Sequence, residues 1–89
     1  MHLIFYSKPG CHLCEGLQEK LDRIPLSIEL EVRDITTRSD WFEAYQYEIP
    51  VLVAVNNQGQ MQTLPRLSPR ASLAQVEQML QKYVQNDSK

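Results

Sequence analysis

The sequence predicts an α/β fold in which a four-stranded mixed sheet is flanked by three helices, in the order β-α-β-α-β-β-α. Two short apolar runs, at residues 2–6 and 51–55, have the length of strands that are buried on both faces. Apolar residues recur at helical spacing after each run. A chain of 89 residues has room for one core, so we predict a single domain over residues 1–85 and a disordered tail at residues 86–89.

The first part of the chain indicates a strand, a helix and a second strand. The strand at residues 2–6 is followed by a loop at residues 7–10, and a helix is expected from about Cys11 to Arg23. Gly16 lies in the middle of this helix, where we expect another element to pack closely against it. Residues 27–33 alternate between apolar and charged side chains, which predicts a strand with one solvated face or an exposed edge, parallel to the first. The predicted core face of the helix is Leu13, Leu17, Leu21 and Ile24.

A short helix is predicted between the second and third strands. Residues 34–38 are expected to form a polar loop before it, and Ser39 can cap its N-terminus. Trp41, Tyr45 and Tyr47 are interpreted as packing residues rather than as an aromatic binding surface. The residues expected to face inward are Trp41, Ala44 and Tyr45.

The last part of the chain indicates a hairpin and a helix. A turn at residues 56–59 joins the strand at 51–55 to an antiparallel edge strand at 60–64. Ser68 is expected to cap the last helix, with Pro69 at its first position. The predicted core face of this helix is Leu73, Val76, Met79, Leu80 and Tyr83.

Composition and charge exclude several classes of function. The net charge of −2 and a pI of about 5.6, without a basic cluster, argue against a nucleic-acid partner. No apolar stretch approaches the roughly 20 residues that span a bilayer, so no membrane partner is expected. The chain enters a strand at once, without a charged leader, so we expect no signal peptide, a cytoplasmic location and reduced thiols. We also expect a monomer.

The two cysteines of the chain, Cys11 and Cys14, lie at the predicted start of the first helix. A helix N-terminus presents unpaired N–H groups and a partial positive charge, which stabilise a thiolate, the form that attacks disulfides. We therefore predict reversible thiol–disulfide exchange, with Cys11 as the nucleophile and Cys14 as the more buried resolving thiol. Lys8 is either a second source of positive charge or a solvated lysine. His12 either adjusts the electrostatics or carries a proton.

Other uses of such a cysteine pair remain open. Structural zinc needs four ligands, and neither His2 nor His12 has the spacing that would complete a site, so we predict no metal within one chain. A different class of function is a binding module without turnover, which displays a partner surface or bridges a metal or cluster between two chains. A third is a thiol-dependent reductase of a small non-protein substrate.

Two segments resemble a known family. Residues 6–14, Tyr-Ser-Lys-Pro-Gly-Cys-His-Leu-Cys, resemble the active-site segment of glutaredoxin-like proteins in the thioredoxin superfamily, particularly the DUF836 branch. Residues 48–52, Glu-Ile-Pro-Val-Leu, resemble the second signature of that superfamily, a cis-proline before the third strand. The resemblance implies a thioredoxin-like (glutaredoxin-like) fold and a cis peptide bond facing the cysteines, where the backbone of residue 49 can pair with a substrate strand. The predicted substrate-binding residues are Lys8, His12, Ile49 and Pro50.

The resemblance also implies the reactants. The expected substrate is a disulfide-containing protein or a small thiol compound, with no bound cofactor and with glutathione as a candidate electron donor. Residues 64–70 lack the Gly-Gly-x-x-Asp stretch of glutathione-binding glutaredoxins, so a thioredoxin reductase is the alternative donor. Arg66 and Arg70 lie where the carboxylate of a bound peptide could be met, or else they are solvated.

Overall fold

Four strands and three helices follow one another in the predicted order. The computed structural model describes the backbone of residues 1–87 and the side chains through residue 83. Among these residues, no helix is both long and apolar enough to cross a membrane. The last helix includes the first two residues of the predicted tail, and residues 88–89 lie outside the described residues. The elements are β1 (His2–Ser7), α1 (His12–Arg23), β2 (Glu29–Asp34), α2 (Ser39–Tyr45), β3 (Val51–Val55), β4 (Met61–Thr63) and α3 (Leu73–Asp87).

The sheet has the strand order β2-β1-β3-β4, so the two apolar runs occupy its centre. β1 is parallel to β2, with Phe5 opposite Val32, and antiparallel to β3, with Phe5 opposite Leu52. β3 is antiparallel to β4. Central strands are covered on both faces and edge strands are not, which is why the continuous apolar runs lie inside and the alternating or polar strands lie outside. The predicted fold class is confirmed.

Two hydrophobic clusters lie on opposite faces of the sheet, because side chains alternate along β1. Leu3 and Phe5 belong to the cluster that includes residues of α1 and α3. Ile4 and Tyr6 belong to the cluster on the α2 side. The predicted polar loop before α2 contains a short 3₁₀ helix, Ile35–Thr37, and Ile35 is fully buried in this second cluster. Ile35 is the apolar residue of this polar segment, and its side chain covers part of the sheet on the α2 side.

The core face of α1 is rotated relative to the prediction. Leu13 is 47% exposed, whereas Cys14 is buried in the first cluster. Cys14 stands three residues before Leu17, and Leu17 stands four before Leu21. Cys14 therefore fits the apolar stripe of the helix as closely as Leu13, and either residue could lie on the buried face. The expected close packing at Gly16 is wrong, because a Cβ atom there would meet nothing within 4 Å.

The start and the inward face of α2 also differ from the prediction. Ser39 is the first helical residue rather than the cap, and Arg38 precedes it without a side-chain cap. The Arg38 guanidinium instead binds Asp40 at 3.0 Å, which holds the pKa of that carboxyl below its usual value. Ala44 is exposed, because the two aromatic residues of the predicted inward face fill the contact with the sheet.

α3 begins at Leu73, later than predicted. Ser72 Oγ accepts a hydrogen bond from the Gln75 N–H at 3.1 Å, and Gln75 Oε1 accepts one from the Ser72 N–H at 2.8 Å. This reciprocal pair is a capping box. Ser68 closes a turn instead, where its carbonyl accepts from the Ala71 N–H at 2.9 Å. A glutamine stands three residues after Ser72 and an alanine three after Ser68, so only Ser72 can form the reciprocal pair.

The cap of α3 can be tested by serine replacement. We expect Ser72→Ala to lower the free energy of unfolding by about 1 kcal/mol, because the Gln75 N–H loses its acceptor. Ser68→Ala is the matched control and should cost less, since it removes only a turn hydroxyl. Denaturant unfolding of both variants measures the difference. A larger loss from Ser68→Ala would place the cap at the position first predicted.

Candidate active site

Cys11 and Cys14 form a disulfide at the N-terminus of α1, with their Cα atoms 5.2 Å apart. Cys11 is the N-cap residue: its Sγ accepts a hydrogen bond from the Cys14 N–H at 3.2 Å, and its carbonyl accepts one from the Glu15 N–H at 3.0 Å. The preceding turn places it there, since Gly10 has φ +81° and the Cys11 N–H donates to the Lys8 carbonyl at 3.3 Å. The predicted position of the pair at the helix start is confirmed.

The two sulfurs lie in different environments. Cys14 is 3% exposed and belongs to the core cluster on the α1 side of the sheet. Cys11 is only partly buried and packs at the edge of that cluster. An external disulfide can therefore approach Cys11 more easily than Cys14. The assignment of Cys11 as nucleophile and Cys14 as resolving thiol stays a prediction that this geometry favours.

The charged side chains near the pair point into solvent. The His12 side chain is 94% exposed, and its Nδ1 lies 3.7 Å from the Glu15 carboxylate. Lys8 is exposed in the loop before α1. The N–H group aimed at Cys11 Sγ, rather than a charged side chain, is thus the fixed electrostatic feature of the site.

The Ile49–Pro50 peptide bond is cis, as the resemblance implied. Ile49 packs against the same cluster as the cysteines, and Pro50 lines a groove together with His12 and Leu13. The Ile49 N–H donates to the Tyr45 carbonyl at 3.1 Å, so it is not available to a substrate. Pairing of a substrate strand with the backbone of residue 49 is therefore limited to its carbonyl.

A groove with a volume of about 450 Å³ runs from the cysteine end of α1 along that helix. Its opposite wall is the cis-proline segment and residues 64–69. The groove is not evident from the sequence, because its walls come from segments that are far apart in the chain. Exposed Leu13 and unpacked Gly16 are the local signs of it. Its apolar lining includes Leu13, Leu17, Pro50, Leu64, Pro65 and Leu67.

Two cations hold the far wall of the groove in place. Arg66 Nη1 donates to the Glu48 carbonyl at 3.0 Å, which ties residues 64–69 to the cis-proline segment. Lys20 Nζ donates to the carbonyls of Ala71 at 2.6 Å and Pro69 at 3.4 Å, which ties α1 to the same wall. Lys20 was not singled out from the sequence, since a lysine on a helix is normally solvated.

Comparison with known proteins identifies the family. The sequence matches the glutaredoxin-like domain (DUF836) over residues 2–81. The chain belongs to this family. No curated protein matches the sequence.

The fold of this glutaredoxin-like domain is similar to two solved structures. One is thioredoxin 1 from the thermophilic eubacterium Thermosipho africanus TCF52B, with 16% identity, a TM-score of 0.67 and 100% coverage of both chains. The other is a structural genomics target protein from X. campestris, with 21% identity, a TM-score of 0.64 and coverage of 90% of this chain and 96% of that one. The expected thioredoxin-like fold is confirmed.

The other face of the sheet carries an aromatic cluster. Tyr6 stacks on Tyr45 with ring centroids 4.2 Å apart and meets Trp41 edge-on at 6.0 Å. Arg33 donates a hydrogen bond to Tyr6 Oη at 3.0 Å, and burial raises the pKa of Tyr45. Packing roles for Trp41 and Tyr45 are confirmed. The packing role expected of Tyr47 is wrong, because this side chain is 89% exposed.

Proposed function

We propose that this glutaredoxin-like domain is a dithiol–disulfide oxidoreductase that reduces disulfides or mixed disulfides. One observation carries the proposal: Cys11 Sγ caps α1 and accepts the Cys14 N–H at 3.2 Å. In the reduced protein, that N–H group and the positive end of the helix would stabilise a thiolate at Cys11. The cysteine pair at disulfide distance supports reversible oxidation of the two sulfurs.

The proposed reaction has two steps. The Cys11 thiolate attacks one sulfur of the substrate disulfide, and the other substrate sulfur leaves as a thiolate that takes a proton from solvent. Cys14 then loses its proton and attacks Cys11 Sγ, which closes the intramolecular disulfide and releases the second substrate thiol. Two electrons pass from the protein dithiol to the substrate. An external thiol donor returns them.

We further propose the setting of this reaction. The substrate would be a disulfide-containing protein or a small-thiol mixed disulfide, and the electron donor would be glutathione or a thioredoxin reductase. The domain would need no bound cofactor and would act as a monomer in a reducing compartment such as the cytoplasm. His12 and Pro50, which line the groove, are its proposed substrate contacts. Lys8 and Ile49 are proposed as further contacts.

Trapping with Cys14→Ser tests the nucleophile directly. This variant keeps Cys11 and lacks the resolving thiol, so the reduced protein should form a stable mixed disulfide with a small uncharged probe such as hydroxyethyl disulfide. Mass spectrometry of the intact protein should show one adduct, and peptide mapping should place it on Cys11. Cys11→Ser is the control and should form little adduct, because the remaining sulfur is buried.

The same protein preparation also distinguishes an oxidoreductase from a binding module without turnover. Among the side chains that the structure describes, those of residues 1–83, no group of three or more His, Cys, Asp or Glu is placed to hold a metal ion, so a metal site there would need a second chain. A protein that purifies with stoichiometric metal and shows no adduct would support a module that bridges two chains through its cysteines.

A further inference from the structure

We propose that Tyr45 is a positioning residue: its stack on Tyr6 holds the cis-proline segment at a fixed place relative to Cys11. This inference rests on the proposed function and names a residue that acts on that reaction through another segment. Tyr45 lies on α2 and packs in the cluster on the face of the sheet opposite Cys14. Its ring stacks on that of Tyr6, with centroids 4.2 Å apart.

The loop that carries Cys11 and the cis-proline segment leave the sheet side by side. β1 and β3 are antiparallel, and Tyr6, near the end of β1, lies opposite Val51, the first residue of β3. Residues 8–10 lead from the end of β1 to Cys11, and Pro50 directly precedes β3. A residue that is fixed both to Tyr6 and to the cis-proline segment therefore sets the position of one loop relative to the other.

The backbone of Tyr45 holds the cis-proline segment. Its carbonyl accepts the Glu48 N–H at 2.9 Å and the Ile49 N–H at 3.1 Å. The Ile49 side chain packs against both hydrophobic clusters, so this segment bridges the two faces of the sheet. A shift of the Tyr45 backbone would therefore move two consecutive residues, and the second of them offers its carbonyl to a substrate strand.

The side chain of Tyr45 is held in turn by a rigid base. Tyr6 is 5% exposed, and its Oη accepts a hydrogen bond from Arg33 at 3.0 Å. The Arg33 guanidinium also lies 5.1 Å from the centre of the Trp41 ring, which meets Tyr6 edge-on. Paired rings attract each other beyond the apolar area that they bury. The stack therefore gives Tyr45 a defined position on the sheet.

The attachment of α2 depends on few side chains. This helix has seven residues and no buried residue, and Trp41 and Tyr45 are its partly buried side chains in the cluster. Tyr45 stands at the end of α2, where the chain turns toward the cis-proline segment, and Trp41 stands near the start. Loss of either aromatic ring would loosen the cluster, but loss of the Tyr45 ring would loosen the cis-proline segment most.

Amide hydrogen exchange, followed by NMR on the full-length oxidised protein, measures this positioning directly. In the parent protein the Glu48 and Ile49 amides should be protected, because the Tyr45 carbonyl accepts both. Tyr45→Leu removes the stack and should speed the exchange of these two amides by roughly tenfold or more, relative to the core amides of β1 in the same variant. Tyr45→Phe keeps the ring and should exchange as the parent does. Trp41→Leu, the matched loss of an aromatic ring, should leave both amides near the parent rates.

Disulfide reduction by the reduced variants gives a second readout. An extended peptide can pair with the Ile49 carbonyl, whereas hydroxyethyl disulfide has no peptide backbone to place there. Tyr45→Leu should lower the second-order rate constant with a symmetric disulfide of an uncharged peptide by roughly tenfold, because the peptide is misplaced relative to Cys11. The rate with hydroxyethyl disulfide should not change. Tyr45→Phe should keep both parent rates, and Tyr45→Met, which also lacks a ring, should behave as Tyr45→Leu does.

Three results would overturn this inference and leave the oxidoreductase proposal standing. The first is a parent protein in which the Glu48 and Ile49 amides are unprotected. The second is a loss of peptide rate in Tyr45→Leu without faster exchange. Since Tyr45 also borders the groove, that result would assign it a direct substrate contact. The third is an equal effect of Trp41→Leu on both readouts.

The proposed function fails on a different observation. A reduced parent protein that reacts with neither the peptide disulfide nor hydroxyethyl disulfide overturns the oxidoreductase proposal, and the role of Tyr45 in the reaction with it. The exchange rates of the Glu48 and Ile49 amides do not depend on that reaction, so the two failures are distinguishable.

Discussion

Cys11→Ser is expected to lower the rate of disulfide reduction by roughly 10³-fold or more, as removal of a nucleophile does elsewhere. A serine hydroxyl stays protonated at neutral pH and cannot form the mixed disulfide. The fold should survive the change, because Cys11 is the N-cap of α1 and serine is among the best N-cap residues. The loss therefore reports chemistry rather than stability.

The measurement is the single-turnover reduction of hydroxyethyl disulfide by the fully reduced protein. Cys14→Ser is the matched control: it should keep the rate of the first step and fail to complete the second. Unfolding curves of both variants would show whether α1 is retained. A Cys11→Ser protein that reacts at the rate of the parent would transfer the nucleophile role to Cys14 and contradict the proposed order of attack.

Phe5→Ala is expected to lower the free energy of unfolding by about 3–5 kcal/mol. The Phe5 side chain is 0% exposed and lies on the central strand, opposite Val32 on one side and Leu52 on the other. Its removal leaves a cavity between the sheet and the helices that cover this face. Small domains have a total stability of about 5–15 kcal/mol, so this one change could remove much of it.

Phe42→Ala is the control for the same chemical change at the surface. Phe42 is 39% exposed on α2, so its replacement should lower the free energy of unfolding clearly less than Phe5→Ala does. Urea unfolding of the two variants, analysed with a common slope, gives the difference. Similar losses at the two positions would contradict the assignment of Phe5 to the centre of the core.

The sheet was predictable from single segments of sequence. Residues 51–55 are continuously apolar and residues 27–33 alternate, and these patterns place β3 at the centre and β2 at the edge. The cysteine site was predictable for the same reason. A strand, a Pro-Gly turn and a helix start are local features, and they bring the two sulfurs together without help from the rest of the chain.

The buried face of α1 and the start of α3 were harder to predict, because in each case two residues fitted the local sequence pattern equally well. Leu13 and Cys14 both extend the apolar stripe of α1, and only the position of the sheet beneath the helix selects Cys14. Ser68 and Ser72 both precede helical sequence, and the choice depends on the partner three residues later. Ile35 is buried because it packs against the sheet on the α2 side. The polar residues next to it in the sequence give no sign of this contact.

The amino-acid sequence by itself determined the fold class, the burial of the two continuously apolar strands and the place of Cys11 and Cys14 at a helix start, because each depends on periodicity or turn chemistry within a few residues. Only the tertiary structure decided the position of the groove and the hydrogen bonds that Lys20 and Arg66 donate to its far wall. It also decided that the Ile49 N–H donates to the Tyr45 carbonyl and is not available to a substrate. Those features depend on groups that are brought together only when the helices pack against the sheet. Their hydrogen bonds are therefore set by packing and not by any local pattern.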